Sequence, residues 1–87
     1  MSAVIRIVVA EDEAIIRLDL VETLTEEGYE VVADTGRGDT AVELVRTHQP
    51  DVAIFDIKMP GMDGLEAARV VTDEKICPVV MLTAFSQ

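Results

Sequence analysis

DVAIFDIKMPGMDG, residues 51–64, decides the fold. Its apolar run, Val52 to Phe55, stops at a single carboxylate, Asp56. The chain then turns through Met59-Pro60-Gly61 and restarts at Asp63-Gly64. Pro and Gly together mark a loop. A buried strand that opens into such a loop puts its last carboxylate at the carboxyl edge of a sheet, where open α/β folds bind ligands. Asp56 is therefore the candidate reactive group.

The same grammar repeats on either side. Residues 3–10 (AVIRIVVA) are β-branched and nearly all apolar, the pattern of a strand covered on both faces. Glu11-Asp12-Glu13 follows at once. Residues 14–27 have helical periodicity, with Ile16, Leu20 and Leu24 four apart and Ala14, Leu18 and Val21 widening the face. An arc this wide predicts contact with a second helix as well as with a sheet. Gly28 ends the helix. Residues 29–33 predict a second strand, 34–38 a loop, and 40–48 a helix with Val42 and Val45 inward, closed by Gln49-Pro50. Asp63 and Glu66 are spaced as a capping box for a third helix, 64–73. Residues 78–83 (PVVMLT) predict a fourth strand.

Apolar strands alternating with helices imply a doubly wound parallel sheet with helices on both faces. Right-handed crossovers then bring the strand C-termini to one edge. That edge collects Glu11, Asp12, Asp56 and Thr83. Grouped carboxylates either raise a pKa or bind a cation. Mg²⁺ takes one or two carboxylates and completes its shell with water and phosphate oxygens, so Asp12 and Asp56 suit it, with Glu11 holding a coordinated water. Asp56 could then attack a phosphoryl group in line, and Thr83 could hydrogen-bond the product. Each residue also has a plainer reading: Asp12 and Asp63 as helix caps, Glu11 as a solvated rim charge, Thr83 as a strand-end hydroxyl. His48 lies near a helix C-terminus, where it would meet the dipole. Asp56 resists a plain reading, because an unpaired acid ending a buried strand costs stability unless something compensates it.

The bulk properties agree. Eighty-seven residues make at most one domain, 49% hydrophobic, with two Phe, one Tyr and no Trp, so the core is aliphatic. A net charge of −10 opposes direct binding to nucleic acid or to an anionic membrane. One cysteine, Cys77, excludes an internal disulfide and suits a cytoplasmic location. No membrane-spanning stretch, targeting segment, zinc spacing or dinucleotide fingerprint is present.

The pair Glu11-Asp12, the segment DIKMPGMDG around Asp56, and MLTAFS at the fourth strand resemble the receiver domain of two-component response regulators, the CheY-like flavodoxin-type fold. The stretches EDEAIIRLDL and LTAFSQ further resemble receivers found ahead of ANTAR RNA-binding antiterminator domains. The resemblance implies that Asp56 is the phosphoacceptor. It implies that Asp12 and Asp56 bind Mg²⁺ with the Lys58 backbone carbonyl, that Glu11 assists through water, and that Thr83 is the switch hydroxyl. The donor would be a phosphohistidine on a sensor histidine kinase. Such receivers continue through a fourth helix, a fifth strand and a fifth helix, which carry a phosphate-pairing lysine and an aromatic switch residue. Residues 1–87 would thus be a receiver incomplete at its C-terminus, expected either to self-associate (for example by exchanging elements) or to be the ordered part of something longer, and to transfer phosphate poorly. Two other readings are an Asp-nucleophile phosphohydrolase of the haloacid-dehalogenase class and a receiver-fold dimerisation module without signalling. The first expects a second Asp two residues after the nucleophile, where this chain has Lys58.

Overall fold

Four parallel strands form one sheet, with the first strand between the second and the third and the fourth outside the third. In chain order the elements are β1 (Arg6–Ala10), α1 (Ala14–Glu26), β2 (Glu30–Thr35), α2 (Gly38–His48), β3 (Val52–Asp56), α3 (Gly64–Asp73) and β4 (Val79–Leu82). The computed structural model describes residues 3–82. Every crossover is a helix, so all four strands run the same way and their C-termini share an edge.

The sheet is covered unequally. On one face Val8, Ala10, Ala53 and Phe55 pack with Val42 and Val45 of α2 and Ala67 and Val71 of α3. Phe55 is the largest fully buried side chain, among valines and alanines. On the other face lie Ile7 and Val9, also buried, under α1. The wide apolar arc of α1 departs from expectation. None of its residues is buried; Ile16 is 46% and Leu18 60% exposed, and its packing partners are β1 and β2. The parallel register explains why, because Val9 pairs with Ile54 and Ile54 with Val80. Paired residues share a face, and along that row exposure climbs from 0% at Val9 to 50% at Val80. One helix covers β1 and β2 and leaves β4 open.

Boundaries moved where tertiary partners supply hydrogen bonds. β2 runs on to Thr35, because the ladder with β1 continues to the pair Ala10–Thr35. The polar residues 34–35, read as loop, are tolerated on an edge strand. α2 starts at Gly38 rather than Thr40; the Gly38 N–H, otherwise an orphan of the first turn, donates to the Pro60 carbonyl at 3.1 Å. β1 starts at Arg6, not Ala3. The cation donating to the last carbonyls of α2 is Arg6, at 2.9 Å from the His48 oxygen. α1 ends as expected, in a Schellman arrangement: Gly28 N–H donates to the Thr25 carbonyl and Tyr29 N–H to that of Leu24.

Asp63 caps α3 as its spacing predicts, its Oδ1 accepting from the Glu66 N–H at 2.8 Å. Asp63→Ala is expected to cost about 1 kcal/mol, read as a shifted urea midpoint at unchanged slope. No shift would mean that water replaces the cap without loss.

Candidate functional site

The site sits where the strand order reverses, between β1 and β3. From that point β1 leads to α1 on one face and β3 to α3 on the other, leaving a crevice at the strand ends. Ala10 is in register with Phe55, so the residues following them, Glu11 and Asp56, emerge side by side. Asp12 is one step further along. Carboxylate oxygens of Glu11, Asp12 and Asp56 all lie within 4.8 Å of one another. Glu11 is 4% and Asp56 8% exposed, while Asp12 faces solvent.

Three acids this close need compensation, and the protein provides little. None of the ion pairs among the described residues involves Glu11, Asp12 or Asp56. Burial pushes the Glu11 carboxyl above the usual range, the nearby charges of Asp56 and Asp12 push the same way, and the Glu13 N–H bonded to it pulls back. That bond is 3.0 Å long, from the Glu13 N–H to Glu11 Oε2. Two buried oxygen donors and one exposed donor, hard and anionic, form the set a magnesium-sized cation binds with open positions left for other ligands. The residues fit such an ion.

The plainer readings separate here. Glu11 is no rim charge, since it is buried. Asp12 is not the cap of α1: Glu13 occupies that position, and no side chain caps it. Lys58 lies exposed two residues beyond Asp56 and takes part in none of the ion pairs among the described residues. Thr83 falls outside the described residues.

The loop after Asp56 is held firmly. Met59 is buried against the core, and the Gly64 N–H donates to the Ile57 carbonyl at 2.6 Å. The sequence reading passed over Arg17. This residue, the one base of α1, donates from Nη1 to the Glu11 carbonyl at 2.6 Å and pairs with Asp34 through Nε at 3.2 Å. Its signal was a cation set within an apolar helical arc.

The family profile for the response regulator receiver domain matches residues 7–87. The transcriptional regulatory protein PdtaR of Mycobacterium tuberculosis (strain H37Rv) is 55% identical over 82 residues, covering 94% of this chain and 40% of that protein. A protein-glutamate methylesterase/protein-glutamine glutaminase of Natronomonas pharaonis is 46% identical over 77 residues, 88% of this chain but 22% of that one. The signal receiver domain of the response regulator NarL from M. tuberculosis superposes with a TM-score of 0.91 at 33% identity, over 99% of this chain and 71% of that domain. The chain therefore spans less than half the length of these curated relatives, and the part it shares with them carries the acid group. A parallel sheet reversing beside three convergent carboxylates, in a sequence matched along nearly its whole length, makes this chain a member of the response regulator receiver domain family.

Proposed function

We propose that this receiver accepts a phosphoryl group on Asp56 from a phosphohistidine of a sensor histidine kinase and passes the change to an output domain. The observation that carries this is the convergence of Glu11, Asp12 and Asp56 with no ion-pair partner among the described residues. Asp12 and Asp56, with the Lys58 backbone carbonyl, hold Mg²⁺, and Glu11 assists through water. When bound, the ion neutralises phosphoryl oxygens. An Asp56 oxygen attacks phosphorus in line; the P–O bond forms as the P–N bond to the donor imidazole breaks, and the imidazole regains a proton. Thr83 is the hydroxyl that meets the phosphorylated state. The chain acts as its own phosphoacceptor and promotes only that transfer and the later dephosphorylation, in which water breaks the acyl phosphate to return the Asp56 carboxylate and inorganic phosphate. Its similarity to a transcriptional regulatory protein supports an output in gene expression, and the resemblance of EDEAIIRLDL and LTAFSQ to receivers ahead of antiterminator domains points that output to RNA, with the receiver itself, at net charge −10, not touching nucleic acid. No helix among the described residues is long and apolar enough to cross a membrane. Intact mass after incubation with acetyl phosphate and Mg²⁺ tests the proposal: the mass of one phosphoryl group should appear, and only with the metal present.

We further propose that this receiver self-associates. Support comes from the uncovered row ending at Val80 and from two further exposed apolar side chains, Ile5 and Ile16, at 45% and 46%. β4 stands at the sheet edge in the described structure. Light scattering on a size-exclusion peak should give a dimer that Val80→Lys disperses. A monomer at every concentration would refute this.

A further inference from the structure

We propose that Arg17 is a positioning residue for the divalent cation, acting through the peptide unit that joins Glu11 to Asp12. The inference rests on the Mg²⁺-binding reading above.

The Glu11 carbonyl belongs to the planar unit whose other end is the Asp12 nitrogen, so fixing that plane fixes how both side chains leave the backbone. Arg17 Nη1 donates to its carbonyl at 2.6 Å, while the preceding peptide unit is anchored separately, Glu11 N–H donating to the Thr35 carbonyl of β2 at 3.0 Å. Asp34, also on β2, orients the guanidinium through Nε at 3.2 Å. The Arg17 side chain is 24% exposed, so this contact is partly shielded from water. Gly36 keeps the place open: a Cβ there would sit 2.8 Å from Arg17 Nη1 and 3.4 Å from the Asp12 Cα.

The choice of acceptor matters. An arginine beside three acids would ordinarily fork onto a carboxylate and compete with a metal. Here the guanidinium takes a carbonyl and a separate acid, Asp34, so it occupies none of the carboxylate oxygens of Glu11, Asp12 or Asp56. Arg17 thus shapes the site without filling it. Partners that orient ligands typically change metal affinity by about 10–100-fold when removed.

The test is direct Mg²⁺ titration by calorimetry on the whole chain, with urea midpoints in chelator as the folding control. Arg17→Met should weaken Mg²⁺ binding about tenfold. Arg17→Lys should recover part of it, because an ammonium reaches one acceptor but cannot bridge both. Gly36→Ala keeps the charge yet displaces the guanidinium, so it should resemble Arg17→Met; it also serves if Arg17→Met fails to fold. Arg46→Met, which breaks an ion pair to Glu74 between α2 and α3, should leave Mg²⁺ affinity unchanged. Mg²⁺ affinity within twofold of wild type in Arg17→Met or Gly36→Ala overturns the inference and spares the metal site. An equal loss in Arg46→Met also overturns it, as general destabilisation. A wild-type chain that binds no Mg²⁺ removes both.

Discussion

Asp56→Asn should abolish phosphoryl uptake while making the metal-free protein more stable. The first effect is chemical: an amide is no nucleophile for phosphorus, and no other described acid stands at the end of β3. The second is electrostatic. Carboxylate oxygens within 4.8 Å of each other repel by roughly 1–3 kcal/mol at effective dielectric constants between those of a protein surface and water. Removing one charge relieves much of that. The effect also depends on pH. The Glu11 carboxyl is raised first by burial and then by Asp56 and Asp12. A group bound more tightly to its proton in the folded state contributes stability that is full below its unfolded value and fades as pH rises through its folded one. Metal-free wild type should therefore lose stability as pH climbs from the ordinary carboxylate range through the Glu11 titration. Asp56→Asn should flatten that decline, because one cause of the Glu11 shift is gone. Urea midpoints in chelator across that range give the answer, and saturating Mg²⁺ should reverse the ranking. A variant no more stable than wild type without metal, or one that still gains phosphoryl mass, would remove Asp56 from the centre of the account.

Gly64→Ala is the second large effect, expected to cost about 3 kcal/mol or more. A Cβ at Gly64 would lie 1.8 Å from the Asp56 carbonyl oxygen and 2.8 Å from its carbon. Both are backbone, so neither can swing aside. The first residue of α3 is thus laid directly over the peptide that follows the acceptor, and the clash must move the loop from Ile57 to Asp63 or the end of β3. Mg²⁺ affinity should fall together with stability. Gly28→Ala is the contrast. Gly28 has φ +99° but nothing within 4 Å of its Cβ position, so the cost is backbone strain alone, roughly 1–2 kcal/mol, with Mg²⁺ binding unchanged. If Gly64→Ala unfolded no more readily than Gly28→Ala, the close packing of α3 on Asp56 would be wrong.

Much of this was legible in the residues themselves. Apolar runs ending in acids located the strands and their functional ends, because a strand buried on both faces must be apolar until it emerges. Helical spacing and the Asp63–Glu66 offset placed α3 to the residue, since a cap is a local bond three positions long. What stayed hidden depends on partners distant in the chain. Thr35 joins β2 because Ala10 lies beside it, and Gly38 starts α2 because the Pro60 carbonyl meets its N–H. Arg17 was passed over, because only folding brings its guanidinium to the Glu11 carbonyl.

The sequence by itself determined which groups carry the chemistry: the acids after the first and third strands, and the periodicities that make those strands parallel. Only the tertiary structure decided that β1 and β3 are neighbours, and hence that Glu11 and Asp56 emerge together. It also decided that α1 shelters half a sheet. Local patterns record which face of an element wants burial, while strand order and coverage follow from long-range packing that no short stretch encodes.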